Sequence, residues 1–274
     1  ILNEAESAKT LPQYQIDLLK GVAYNEKRMF SLVERFAKQA LSNDSIDNHP
    51  QEKLNALTML ANARKTSGDY HGCVQAASSG IEVARSMGNR ASEYNLLTTM
   101  ASVSFGMGNR PQGYDYLQQI ISSGSGSESA RELANVSAAY GVKVAELYTD
   151  GRYDDALTES GNRLVVIDKI DEVGGAPDGF TDQQRAYTYA RIASSALKAG
   201  KKEDAVNAYA SFNSTNYGQT VVGRAYITDY LIDSKQWQAV IDNMKPLYDK
   251  MISGDTINVD FHSVLYSNAM AYHG

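Results

Sequence analysis

Apolar residues recur at intervals of three and four along most of the chain. Leu57, Leu60 and Ala61 form one such set, Leu97, Met100 and Ala101 a second, and Tyr189, Ile192, Ala193 and Ala196 a third. This is the 3.6-residue period of a helix with one buried face. Extended along the chain, the pattern predicts helices in pairs: 12–27 with 30–42, 51–67 with 70–87, 91–107 with 111–122, 130–149 with 153–170, 182–199 with 202–212, and 218–233 with 236–252. A last helix over 260–273 keeps the first-helix phase through Leu265, Ala269 and Tyr272. Its apolar Phe261, Val264, Leu265 and Met270 suggest a chain cut from something longer rather than a natural cap.

Between the two helices of each pair a turn recurs. Gly68-Asp69-Tyr70 is followed three residues later by Cys73, Gly151-Arg152-Tyr153 by Ala156, Gly200-Lys201-Lys202 by Ala205, and Gly108-Asn109-Arg110 by Gly113. Arg28-Met29-Phe30 before Val33 and Lys235-Gln236-Trp237 before Val240 are weaker copies. Nine residues before the third turn position stands Gly21, Ala61, Ala101 or Ala193, with Val144 and Thr228 as departures. Small residues allow two helix backbones to approach, and glycine supplies a turn conformation that a side chain opposes. One such hairpin cannot bury its own apolar face, so hairpins must stack.

The segments Leu57-Leu60-Ala61, Gly68-Asp69-Tyr70, Cys73 and Ile81, and again Tyr189-Ile192-Ala193, Gly200, Ala205 and Tyr209, resemble tetratricopeptide repeats. The resemblance covers nearly the whole chain. It implies a single all-α domain over 1–274, a right-handed α-solenoid of about six and a half antiparallel helix pairs. Two loops interrupt the rhythm: Ser122–Ser127, rich in Ser and Gly, and 174–179, which lengthens the fourth spacing. Both read as connectors too short to separate independent domains.

Composition narrows the functions. The net charge is −6 and no basic run exceeds Lys201-Lys202, so nucleic acid is not an expected partner. No apolar run reaches the roughly 18 residues of a membrane span, and no direct membrane contact is expected. The chain begins Ile1-Leu2-Asn3, which suggests a natural start removed together with any targeting segment. A single cysteine, Cys73, excludes an intrachain disulfide and stands where a small buried side chain is expected.

No chemistry is evident in the motifs. His49, His71, His262 and His273 are scattered without metal-ligand spacing. Gly106–Gly113 superficially resembles a phosphate loop, but it follows a helix and precedes Tyr114-Asp115 instead of Lys-Ser/Thr, so it reads as a repeat turn. Asp154 and Asp155 suit the first turn of a helix, and Asp168, Asp171 and Glu172 lie near a helix end. No metal, cofactor or catalytic residue is expected.

The resemblance implies a binding face on the first helix of each pair. It assigns Asn25 and Glu26, then Asn55, Thr58, Asn62 and Lys65, then Asn95, Thr98, Ser102 and Phe105, then Tyr148, then Tyr187, Ser194 and Lys198, then Asp229. The Asn-rich stretch could pair with an extended peptide backbone, since each amide offers a donor and an acceptor; a merely solvated face is the alternative. The family's carboxylate clamp is unmatched, with Leu18 and Val22 at its first positions. The half from Asp182-Gln183-Gln184-Arg185-Ala186-Tyr187 through Phe212 also resembles the repeat regions of sensor kinases and regulators of anaerobic gut bacteria. That implies a protein- or peptide-binding, sensory part of a larger bacterial signalling protein, in the periplasm rather than the cytoplasm. A structural module that self-associates through its C-terminal end, around Phe261 and Leu265, is the rival reading, and an enzyme a distant third.

Overall fold

The computed structural model describes residues 11–253 together with Tyr266, Ser267, Ala269, Met270 and Ala271. Phe261, Val264 and Leu265, most of the expected last helix, and the C-terminal self-association surface drawn through them lie outside the described residues. Among the described residues there are 13 α-helices and no strand, and the helices pack consecutively in adjacent pairs, so the fold is all-α and solenoid-like. The chain divides into two compact units, Ile1–Gly126 and Ser127–Gly274, with the border inside the Ser/Gly-rich segment.

The first unit holds α1 (Gln13–Glu26), α2 (Phe30–Leu41), α3 (Pro50–Ser67), α4 (Tyr70–Ser86), α5 (Arg90–Gly106) and α6 (Arg110–Gly124). Each helix packs on the next, and α1 also meets α3 and α3 meets α5, so the first helices of successive pairs lie side by side. The short turns follow one chemistry. Gly68 and Gly108 take φ of +81° and +77°, the left-handed region that releases the chain from the preceding helix. Arg28 and Lys235 take φ of +55° and +59° at the same place in the two weaker copies, which therefore make the same turn without glycine. Asp69, Asn89 and Asn109 then cap the following helix, their side chains accepting from the amides of Gly72, Ser92 and Gln112.

The small-residue positions are buried as expected. Ala61, Ala101 and Ala193 are fully buried, and so are Cys73, Ala156, Ala205 and Val240 after the turns. At Gly80 a Cβ would stand 2.7 Å from Leu96 Cδ1, so the bare backbone is what lets α5 approach α4. Arg64, in the last turn of α3, ties three helices: its Nε meets Glu34 of α2 at 3.2 Å, and its Nη1 donates to the Gly72 carbonyl of α4 at 3.0 Å.

The second unit holds α7 (Ala130–Thr149), α8 (Tyr153–Val173), α9 (Phe180–Lys198) and α10 (Lys202–Ser214), then α11 (Val221–Arg224), α12 (Thr228–Asp233) and α13 (Trp237–Ile252). Here one expectation fails. The predicted helix over 218–233 is broken into two 3₁₀ turns, at Tyr217–Gln219 and Ala225–Ile227, around the short α11 and α12. The cause is a repeated Thr-x-x-Gly. Thr215 Oγ1 accepts from the Gly218 amide at 3.0 Å, and Thr220 Oγ1 from the Gly223 amide at 2.9 Å, so each threonine starts a new turn. A Cβ on Gly223 would lie 1.8 Å from the Tyr217 carbonyl oxygen, a contact only glycine permits. The core runs across the break: Phe212 before it and Ile227, Leu231 and Val240 at its end and beyond are buried together.

Candidate functional site

In the first unit the expected binding residues separate by what their polar atoms already do. The Thr58 hydroxyl donates to Leu54 O at 2.8 Å, Thr98 to Tyr94 O at 2.9 Å and Ser102 to Thr98 O at 3.0 Å. These hydroxyl protons are used by their own helices. Asn55 Oδ1 accepts from Gln51 at 3.0 Å. Asn62, half-buried on α3, has its Oδ1 3.4 Å from the Thr99 hydroxyl of α5, which also reaches Asn95 O at 3.2 Å, and among the described residues no hydrogen bond engages its Nδ2. Asn25 and Asn95 are exposed, and Lys65 is half-buried; among the described residues Lys65 forms no ion pair. Glu26 is exposed beside Asn25, and Phe105 packs edge-on against Tyr114 with ring centres 5.1 Å apart. What remains available on α1, α3 and α5 thus includes the Asn25 and Asn95 amides, the Nδ2 groups of Asn55 and Asn62, the Glu26 carboxylate and the Lys65 ammonium.

In the second unit the residues are drawn into contacts. Tyr148 on α7 lies under the Arg191 guanidinium of α9 at 4.5 Å and meets Tyr153 edge-on at 5.4 Å. Burial, then the charge of Asp233, pushes its phenol above the ordinary value. Lys198 joins Asp233 of α12 at 2.7 Å, and that bond raises the ammonium pKa. Ser194 is buried and donates to Ala190 O, while Asp229 is exposed. Tyr187 sits at the centre of a tyrosine cluster. Its hydroxyl is 3.0 Å from that of Tyr217 and takes a bond from Gln183 at 2.9 Å; the Tyr226 ring stands 4.3 Å away.

The sequence reading missed Arg163. This side chain of α8 is only 9% exposed. Its Nε reaches Ser137 Oγ on α7 at 3.3 Å and its Nη2 donates to Gln184 Oε1 on α9 at 2.7 Å. Both acceptors are neutral. Burial pushes the guanidinium down to about 10, still protonated at neutral pH. A signal was present in the sequence: Ala156, Ser160, Arg163, Val166, Ile167 and Ile170 share the buried side of α8, so an arginine stands in a core phase. Tyr217 and Tyr226 were missed because the Thr-x-x-Gly break brings them to Tyr187.

Asp154, Asp168 and Asp171 have structural partners. Arg185 of α9 bridges Asp168 at 2.8 Å and Asp171 at 2.5 Å on α8, and Asp154 meets Lys201 at 2.8 Å. Cys73 is fully buried, and burial raises its thiol pKa. Among the described residues no three His, Cys, Asp or Glu side chains converge as metal ligands, and no helix is long and apolar enough to cross a membrane. No protein-family profile matches the chain, and no curated protein matches it either.

Proposed function

We infer that the chain is a protein- or peptide-binding scaffold with helix pairs of tetratricopeptide type, and that it forms the sensory or partner-binding part of a larger bacterial signalling protein, outside the cytoplasmic membrane. The observation that carries the binding reading is the row of uncommitted groups on the side-by-side first helices α1, α3 and α5. Among the described residues, the Asn25 and Asn95 side chains, the Nδ2 of Asn62 and the ammonium of Lys65 have no hydrogen-bond or ion-pair partner that would occupy them. Helices pack about 8–10 Å apart, and an extended peptide advances about 3.3 Å per residue. One repeat therefore matches about three ligand residues, and an amide on each first helix can meet the peptide backbone at that interval. Lys65 adds a preference for an acidic side chain in the ligand.

The test is a peptide array probed with the wild-type chain and with Asn62→Ala/Lys65→Ala. These positions are partly exposed and tie nothing essential together, so the variant folds. The reading expects a set of acidic peptides whose binding the double substitution weakens by about tenfold or more. Binding that is unchanged in the variant removes the assignment to this face.

A further inference from the structure

Arg191 stands in the middle of one face of α9. Tyr187, Arg191, Ser194 and Lys198 recur at intervals of four, three and four residues, so they share that face. The Arg191 guanidinium lies over the Tyr148 ring of α7, its central carbon 4.5 Å from the ring centre. Tyr153 meets Tyr148 edge-on at 5.4 Å and steadies the ring beneath the cation. The stack covers one flat side of the guanidinium and leaves its N–H edges uncovered by that ring. Among the described residues Arg191 donates no hydrogen bond and joins no ion pair. It is half-buried, and none of its nitrogens is among the sealed, unpartnered polar atoms of the interior, so these unbonded N–H groups reach solvent. One turn before Arg191 comes Tyr187, with the Tyr226 ring 4.3 Å away; Tyr226 is 49% exposed. Two turns after it, Lys198 is held by Asp233 of α12 at 2.7 Å.

A guanidinium stacked on an aromatic ring is held in one orientation, so little further ordering is needed when its edge is engaged. Two parallel N–H groups on that edge match the two oxygens of a carboxylate. Among the described residues this face of α9 supplies one unpaired cation, because Lys198 is already answered by Asp233, and exposed Asp229 lies one turn from Asp233 on α12. That balance suits a single negative charge and opposes a phosphate dianion. Spacing adds a second requirement. Four residues along α9 are a rise of about 6 Å, and alternate side chains of an extended peptide stand about 6.6 Å apart. We propose that Arg191, stacked on Tyr148, receives the carboxylate of an Asp or Glu side chain in an extended peptide, with an aromatic residue two positions away lying on Tyr226 beside Tyr187. The site deepens the peptide-binding reading on the first helices of the second unit and rests on that reading, but it needs nothing from the Asn62/Lys65 face of the first.

The test titrates the full chain with the blocked pentapeptide acetyl-Tyr-Gly-Glu-Gly-Tyr-amide, which carries one carboxylate and an aromatic residue two positions to either side. Two companion peptides replace the Glu by Gln, or both Tyr by Gly. Affinity is read by calorimetry and contact by the ¹⁵N resonance of Arg191 Nε. The parent peptide is expected to bind and shift that resonance, the Gln companion to bind about tenfold or more weakly, and the Gly companion about threefold or more weakly. Arg191→Met is expected to erase the preference for Glu over Gln. Arg191 bonds to no acceptor, so this variant strands no partner; the Glu and Gln comparison on the wild type decides in any case. Asn62→Ala/Lys65→Ala is expected to leave all three affinities unchanged. The proposal is overturned if the parent peptide does not bind at about 10 mM, the weak end of small-ligand recognition, or if either companion binds as tightly as the parent. It is equally overturned if Arg191→Met still prefers Glu, or if Asn62→Ala/Lys65→Ala abolishes binding. Array peptides that bind while the pentapeptide does not remove this site alone; failure of both removes the peptide-binding reading with it.

Discussion

Replacing Arg163 by methionine removes a buried charge while keeping most of the side chain's length. The guanidinium sits at about 10, well below the ordinary arginine value, a difference that corresponds to about 3 kcal/mol of disfavoured charge at neutral pH. The sign follows from the direction of the shift. A base whose pKa falls on folding costs stability wherever it is charged in the folded state, and the cost fades as pH rises from about 10 towards the ordinary arginine value. Against this gain stands the bond to Gln184 at 2.7 Å, about 1.5–3 kcal/mol for a charge-assisted pair, and a weaker one to Ser137 at 3.3 Å. The two sides nearly cancel. Arg163→Met is therefore expected to lie between about 1 kcal/mol less stable and about 2 kcal/mol more stable than the wild type in the absence of ligand. Urea unfolding at pH 7, followed by far-ultraviolet circular dichroism, measures it. A loss above about 3 kcal/mol is what breaking a buried ion pair costs, and would mean that the charge is answered by a carboxylate after all.

Two further outcomes follow from other parts of the fold. Gly223→Ala drives a Cβ against the Tyr217 carbonyl, 1.8 Å away, and is expected to cost about 1–3 kcal/mol and to displace Tyr217 from Tyr187. A loss of near-ultraviolet tyrosine signal with helix content retained checks it. Glu34 is held below its ordinary value of 4.5, first by its bond to Lys38 and then by Arg64, so its contribution is present above that value and lost as pH falls through the folded pKa. Glu34→Gln is expected to flatten the acid limb of the stability–pH curve without changing its high-pH side, as read by urea midpoints across that range.

The repeat was legible because it is a local matter. A glycine turn, a capping Asp or Asn and a small residue at a fixed offset leave little freedom to the chain around Gly68 or Gly108, and even Arg28 and Lys235 are forced into the same left-handed turn. The helix over 218–233 was misread because its apolar positions suit a helix while Thr215 and Thr220 compete for the backbone amides. Residue type alone did not show which polar groups of the expected face stay free. Asn25, Asn62, Lys65 and Asn95 keep free polar groups, whereas Thr58, Thr98 and Ser102 bond to their own helices, a choice that side-chain rotamers make and residue type does not reveal. Lys198 and Tyr148 depend on Asp233 and Arg191, partners set by packing between α7, α9 and α12. The place of Arg163 was legible, since it is a charged residue in an apolar phase of α8.

The most direct test of a ligand face on the first helices is a photo-crosslinking residue placed at Asn95 on α5 or at exposed Glu82 on α4. Each chain is irradiated with the acidic peptides selected on the array and the adducts counted by mass spectrometry. The account predicts adducts at position 95 and background at position 82. Equal yields at the two positions, or adducts at 82 alone, would contradict it.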